Sequence, residues 1–204
     1  RGYRYSRFAN PTVHALEAKM ADLEGAPAAL ALSSGTAATS SIVLGLLKPG
    51  DDIVFLGPLY GGTENLFRSL LDRFGVRAID ASERGLNDSL TPNTRMVWVE
   101  PLTNPSLRLH DLTQVAAFCK ARGIVSVADN TFCTPCLTRP LEHGIDLVMH
   151  SMTKYLGGHG DATGGVVAGS EPLVAAIRQT GLGQVGGNLS PQEAFLFLRG
   201  IKTL

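Results

Sequence analysis

The chain has 204 residues, 44% hydrophobic and 18% charged, with 18 basic residues balanced by 18 acidic ones. This composition suits one globular domain with a sizeable core and excludes a disordered chain. It also argues against a basic nucleic-acid surface, and no apolar run has the length of a membrane span.

Residue 1 is Arg and no basic-then-apolar leader follows, so no secretory signal is expected and the cytoplasm is the expected compartment. The start reads as the cut edge of a longer polypeptide. Three cysteines, Cys119, Cys133 and Cys136, are too few for a disulfide framework. Cys133 and Cys136 have C-x-x-C spacing but no second ligand pair, so two small loop residues are favoured over a redox site. The histidines lack a ligand spacing on any one element, and no metal is assigned.

In chain order, residues 1–9 are basic and aromatic without a period and read as an extended arm. Asn10 as N-cap and Pro11 at the first helical position open a helix that Gly25 ends. Ala28–Leu32 reads as a strand, and Ser33-Ser34-Gly35-Thr36 leads into a helix over 37–47. A strand over 52–56, a loop through Tyr60-Gly61-Gly62 and a helix over 64–74 follow. Strands are expected at 76–80, 95–100, 124–128, 146–150 and 166–168, and residues 81–94 are weakly patterned. Asp111 caps a helix to Arg122. Helices over 171–180 and 191–204 flank a glycine-rich stretch, 181–187.

Strands alternating with helices at this spacing predict an α/β fold, a mainly parallel sheet covered by helices on both faces. In such sheets ligands bind beyond the carboxyl ends of the strands. That rule gathers Ser34, Tyr60, Asn104, Asp129 and Lys154, each at or just after a predicted strand end. Taken alone, Ser34-Gly35-Thr36 is an ordinary N-cap, and before a helix it can also seat a phosphate. Ser151 and Thr153 can add hydroxyls. Tyr60, beside two glycines, can lay its ring over a flat ligand, or simply sit in a turn. Asp129, ending an apolar strand, either caps a turn or pairs with a cationic ring nitrogen. Lys154, expected to be buried, has an amine that burial would free for chemistry. A phosphate seat, a ring platform, a carboxylate and an amine together describe pyridoxal 5'-phosphate (PLP).

The motifs Y-S-R-F-A-N-P-T (5–12), S-S-G-T-A-A (33–38), L-Y-G-G-T (59–63), N-P (104–105), V-A-D-N-T-F (127–132) and H-S-M-T-K-Y-L-G-G-H (150–159) carry a resemblance. The chain resembles, over essentially its whole length, the Cys/Met-metabolism family of PLP-dependent enzymes: methionine and cystathionine lyases, cystathionine γ-synthases and O-acylhomoserine sulfhydrylases. The resemblance implies a fold-type-I large domain over 13–204, with residues 1–12 an arm that reaches a neighbouring subunit and a small C-terminal domain lying outside this chain. It implies that Lys154 is the Schiff-base lysine and proton shuttle, Asp129 the partner of the pyridine nitrogen, and Tyr60 the stacking tyrosine. Gly35, Thr36, Ser151 and Thr153, with Ser34 beside them, are implied at the phosphate, and Asn104 near the ring hydroxyl and substrate carboxylate. Tyr5 and Arg7 are implied at the phosphate of a neighbouring copy, in a homo-oligomer with shared active sites.

The implied substrate is a small amino acid, and the implied reaction a β- or γ-elimination at carbon–sulfur. A γ-replacement, or a lyase module of a larger biosynthetic polypeptide, is the alternative. Methionine γ-lyases typically carry Cys at the position of Gly62 and a charged pair at Gly183-Gln184, so the resemblance leans away from methionine as substrate.

Overall fold

The computed structural model describes residues 2–204; Arg1, the first residue of the expected arm, lies outside the described residues. Among the described residues seven strands form one sheet: β1 (Ala28–Leu32), β2 (Asp52–Leu56), β3 (Arg77–Asp80), β4 (Thr94–Val99), β5 (Val125–Asp129), β6 (Leu147–Ser151) and β7 (Gly165–Gly169). The helices are α1 (Pro11–Glu24), α2 (Gly35–Leu46), α3 (Gly61–Asn65), α4 (Leu71–Arg73), α5 (Gly85–Ser89), α6 (Leu112–Lys120), α7 (Thr134–Leu137), α8 (Glu171–Arg178) and α9 (Pro191–Gly200).

The strand order is β1-β7-β6-β5-β4-β2-β3, and all neighbours are parallel except those of β7, which runs against both β1 and β6. This is the mainly parallel sheet expected. Because β1 and β6 share the direction of β2, β4 and β5, the carboxyl ends of all five lie along one edge.

Side chains alternate across the sheet as the pleat requires. Leu30, Phe55, Trp98 and Met149 face the layer built by α2 and α8. Ala31, Val166 and Ala168 face Leu16 and Met20 of α1 and Phe197 of α9. Val97, Val99 and Ala128 face Val115 and Cys119 of α6. Trp98, Phe55 and Phe67 are fully buried, each burial contributing about 1.5–3 kcal/mol. Phe67 and Trp98 also meet edge to face, with centroids 5.3 Å apart. Asn10, Ser34 and Asp111 each accept an amide hydrogen bond at 3.0 Å from the first turn of α1, α2 and α6. Each cap stabilises its helix by about 1 kcal/mol.

Three expectations need correction. The single helix over 64–74 is α3 and α4 joined by a π-helical segment, Leu66–Leu70. Leu66 and Leu71 are both buried in one core although five residues apart, and the wider π turn brings such a pair onto one face. The glycine-rich 181–187 stretch does not simply separate helices. Its first half continues α8 as a π segment, Gln179–Gln184, which buries Leu182 beside Ile177, again five residues apart. The extended arm contains a turn over residues 6–8, where the amides of Phe8 and Ala9 both donate to the Tyr5 carbonyl. No helix is long and apolar enough to cross a membrane among the described residues.

Candidate active site

The shared carboxyl edge opens into a cavity of about 480 Å³, lined by Ser34, Gly35, Thr36, Tyr60, Asn104, Asp129, Ser151, Thr153 and Lys154. Every strand-end residue that the sequence singled out is therefore in one place. Tyr5 and Arg7 are not. They belong to the segment before α1, where the Arg7 guanidinium donates to the carbonyls of Leu182 (3.0 Å) and Gly183 (3.4 Å). It also stacks on Phe8, 4.2 Å from the ring centroid.

At one end of the cavity α2 begins. The Ser34 hydroxyl accepts from Ala37 N, and its carbonyl accepts from Ala38 N, both at 3.0 Å. The amides of Gly35 and Thr36 are left without partners among the described residues, as helix geometry dictates at a first turn. Gly35 is required here: a Cβ on it would stand 2.7 Å from Ser151 Cβ. Glycine thus lets α2 and the end of β6 close around one small concavity. The Ser151 hydroxyl has no partner among the described residues, whereas that of Thr153 is held by the Gly164 backbone, accepting its amide at 3.1 Å.

At the other end stands Asp129, the last residue of β5. Its Oδ1 accepts from the Thr131 amide (3.1 Å) and the Thr131 hydroxyl (2.5 Å). The Thr131 hydroxyl in turn accepts from the Ser151 amide at 2.8 Å. Oδ2 has no partner among the described residues. Burial raises the Asp129 pKa from its ordinary value, opposed by the two Thr131 bonds and the nearby His150. A carboxylate so placed is stabilised by a cationic N–H donor.

Lys154 lies three residues past β6, in a turn where its amide donates to Ser151 O (3.2 Å). The expectation that it is buried is wrong: the side chain is exposed at the mouth of the cavity. The cause is local, because β6 ends at Ser151 and the following turns lift residue 154 out of the sheet edge. Its Nζ has no hydrogen-bond or ion-pair partner among the described residues, so the amine is unengaged at the cavity mouth.

Tyr60 is half exposed over the cavity, and Gly62 makes room for its ring: a Cβ there would lie 2.5 Å from Tyr60 Cε1. Glu100, to which sequence reasoning gave no role, also lines the cavity. It follows β4 directly, so the strand-end rule alone could have found it. Burial pushes its carboxyl up to about 7, against the Tyr60 and Asn104 amides that lower it and with the Asp129 charge that raises it. Thr131 was also overlooked, although its spacing from Asp129 is that of a side-chain-capped turn.

Neither the cysteines nor the histidines join this site. Cys133 is buried, which pushes its thiol pKa up, while Cys136 is exposed. His150 faces the opposite side of the sheet, its Nε2 2.5 Å from Glu24 Oε1. No group of three or more His, Cys, Asp or Glu that could hold a metal is found among the described residues.

The fold is matched, with a TM-score of 0.93 and 37% identity, by the crystal structure of cystathionine gamma-lyase from Lactobacillus plantarum complexed with L-serine, covering 100% of this chain and 54% of that one. The architecture and its strand-end cavity are those of a fold-type-I α/β large domain. An L-methionine gamma-lyase of Pseudomonas putida is 47% identical over 207 residues, covering 100% of this chain and 52% of that protein. A cystathionine gamma-synthase of Mycobacterium bovis is 42% identical over 209 residues, covering 100% of this chain and 53% of that protein. The chain belongs to the Cys/Met metabolism PLP-dependent enzyme family, whose profile matches residues 1–204. It spans about half the length of the curated relatives it matches.

The cavity fits the family's cofactor. The unpaired Gly35 and Thr36 amides and the Ser151 hydroxyl form an anion seat sized by the missing Cβ of residue 35. Asp129 Oδ2 lacks a cationic donor among the described residues, Lys154 Nζ is unengaged among them, and Tyr60 lines the same cavity with its ring. PLP carries a phosphate, a flat ring, a ring nitrogen and an aldehyde, one for each.

Proposed function

We propose that this chain is the cofactor-binding part of a PLP-dependent carbon–sulfur lyase that eliminates at the β or γ carbon of a sulfur amino acid such as cystathionine or cysteine. One observation carries the proposal: the free lysine amine and the half-unpaired aspartate lie in one cavity with an anion seat. PLP, when bound, supplies the electron sink for a carbanion next to the substrate nitrogen. The remaining work belongs to the chain. Gly35, Thr36 and Ser151 hold the phosphate, with Ser34 organising the helix start and Thr153 bracing the lysine turn. Asp129 Oδ2 keeps a proton on the ring nitrogen. Tyr60 would cover the ring and limit water, and Asn104, in the cavity lining, would donate to the ring hydroxyl or substrate carboxylate. Lys154 Nζ would anchor the cofactor and, as a free amine, would take the substrate α-proton and, for γ chemistry, move a β-proton. Tyr5 and Arg7 serve the phosphate of a neighbouring copy in a homo-oligomer, residues 1–12 acting as the arm and 13–204 as the PLP-binding unit. The protein works in the cytoplasm.

A γ-replacement that joins a thiol to an activated homoserine is the second reading, favoured by the cystathionine gamma-synthase relative. The test has two stages. Added PLP is expected to give a visible absorbance band, and borohydride to fix its mass on Lys154. Lys154→Ala is expected to lose both, and a wild-type chain without the band would end the proposal. Turnover of cystathionine, cysteine and methionine, against an acylhomoserine plus thiol, then separates the readings. Keto acid from a thioether or thiol supports elimination; none from any of them, with thioether made from the acylhomoserine, supports replacement.

A further inference from the structure

Glu100 is a costly side chain to bury in this cavity. It is 4% exposed, carries a carboxyl, and faces the like charge of Asp129. Buried carboxylates are disfavoured unless each oxygen finds a donor. Here both do, and both donors are backbone amides of the cavity wall. Oε1 accepts from Tyr60 N at 2.6 Å, and Oε2 accepts from Asn104 N at 3.1 Å. Those amides belong to different loops, one after β2 and one after β4. The Glu100 carbonyl is itself fixed, accepting from His110 Nδ1 at 2.9 Å.

The Tyr60 side chain makes no hydrogen bond among the described residues, so the backbone sets the position of its ring. That backbone is held by the Glu100 carboxylate on its amide and by Glu64 N on its carbonyl, the latter at 3.0 Å. We propose that Glu100 is a positioning residue, a two-handed carboxylate brace that holds the Tyr60 loop and the Asn104 loop in register above the bound cofactor. The proposal rests on the PLP reading of the cavity for its consequence, but not for the brace itself. A neutral Gln would be the cheaper buried residue, yet its single carbonyl oxygen cannot take the place of two acceptor oxygens that point to two loops. A displacement of about 1 Å in a positioning group is enough to cost on the order of a hundredfold in rate, so such a brace has a use.

The test uses the full chain and the variants Glu100→Gln and Glu100→Asp. Hydrogen exchange without cofactor reads the brace. In wild type both the Tyr60 and Asn104 amides are expected to be protected. In Glu100→Gln at least one is expected to exchange roughly tenfold faster or more, as loss of a charge-assisted bond implies. Asp, one methylene shorter, is expected to free one of the two amides, and it keeps the test open if the Gln variant does not fold.

PLP titration read by visible circular dichroism then tests the consequence. In Glu100→Gln, borohydride is expected still to fix the cofactor on Lys154, with roughly tenfold weaker affinity and an altered dichroic band. Unchanged protection of both amides overturns the proposal. So does wild-type affinity and dichroism despite lost protection, which would leave Glu100 a brace for stability only. If wild type takes no PLP at Lys154, the cofactor reading fails, and the exchange result by itself decides whether the brace exists.

Discussion

The two edges of the sheet treat their polar groups in opposite ways. At the amino edge Asp52 opens β2 and is closed off by Arg77 at the start of β3, with Nε to Oδ1 at 3.1 Å and Nη2 to Oδ2 at 2.6 Å, and by the Thr91 hydroxyl. Asp51, just before β2, accepts from the Lys48 amide on Oδ2 at 2.9 Å and has Arg95 Nε 3.9 Å from Oδ1. At the carboxyl edge Asp129 keeps an oxygen unpartnered, Lys154 keeps its amine free, and two amides of α2 stay open. The Arg77 hydrogen bonds hold the Asp52 carboxyl below the usual carboxylate range, whereas burial holds Asp129 above it. The buried carboxylates of one edge are paired within the fold; the polar groups of the other are those the proposed cofactor would engage.

Exchanging the roles of the two aspartates gives the largest expected contrast. Asp129→Asn is expected to lower turnover by about 10²–10⁴-fold, the scale on which a proton-holding group acts. Its unfolding midpoint should stay near or above that of wild type. Asp52→Asn is expected to do the reverse, with turnover nearly unchanged and about 1–3 kcal/mol lost on urea unfolding. Equal turnover losses in the two would erase the distinction between the edges.

The pH dependence of stability should split along the same line. Glu100, raised from 4.5 to about 7, keeps in the folded state a proton that the unfolded chain gives up. Its contribution is therefore fully present below about 4.5 and falls as pH rises to about 7, by about 3 kcal/mol in all. Asp129, also raised, acts with the same sign. Asp52, lowered, acts with the opposite sign: its contribution is present above its ordinary value of 3.8 and is lost as pH falls through its folded pKa. Urea unfolding at pH 5 and pH 8 checks this. Glu100→Gln should gain on wild type at pH 8 relative to pH 5, and no relative gain would contradict the assignment.

Smaller effects refine the picture of the open edge. Thr131→Val removes the hydroxyl that serves both Asp129 and Ser151, and PLP affinity is expected to fall roughly tenfold, as loss of about one net hydrogen bond to a charged group implies. Gly62→Ala should push the Tyr60 ring aside, raising KM a few-fold at near-constant kcat, roughly the size of a sub-kcal packing adjustment. A crystal structure of that variant with an unmoved ring would show that the space at residue 62 does not govern Tyr60.

Much of this was legible in the sequence because it depends on local pattern. Asn10-Pro11 and Asp111 announce their helices through caps, and the strands at 28–32 and 52–56 lie where their apolar runs are. The strand-end rule then gathered Ser34, Tyr60, Asn104, Asp129 and Lys154 without any knowledge of distances. What escaped depends on three-dimensional detail. The π turns at 66–70 and 179–184 follow from which leucines share a core, not from helical spacing. Lys154 is exposed because the turns after β6 lift it from the sheet edge; the sequence placed the strand's end within one residue but not the course of those turns. Glu100, read as the end of a strand, was within reach of the strand-end rule as a cavity residue, but its bracing role depends on the approach of two loops, 40 and 4 residues away in sequence.

The line from the Ser151 amide through the Thr131 hydroxyl to Asp129 has a consequence for selectivity by length. A hydroxyl owns one proton, so when Thr131 spends it on Asp129 it must accept from Ser151, and the line has one polarity. It joins the anion seat at one end to the carboxylate at the other across adjacent, paired strands. Ser151 is two residues beyond Met149, the partner of Asp129, so the backbones of Ser151 and Asp129 lie roughly 8 Å apart by strand geometry. The sheet thus acts as a fixed gauge. Under the proposed function, a flat ring with a protonated nitrogen and a phosphate at the matching separation would engage both ends, and a shorter or longer one would satisfy only one of them.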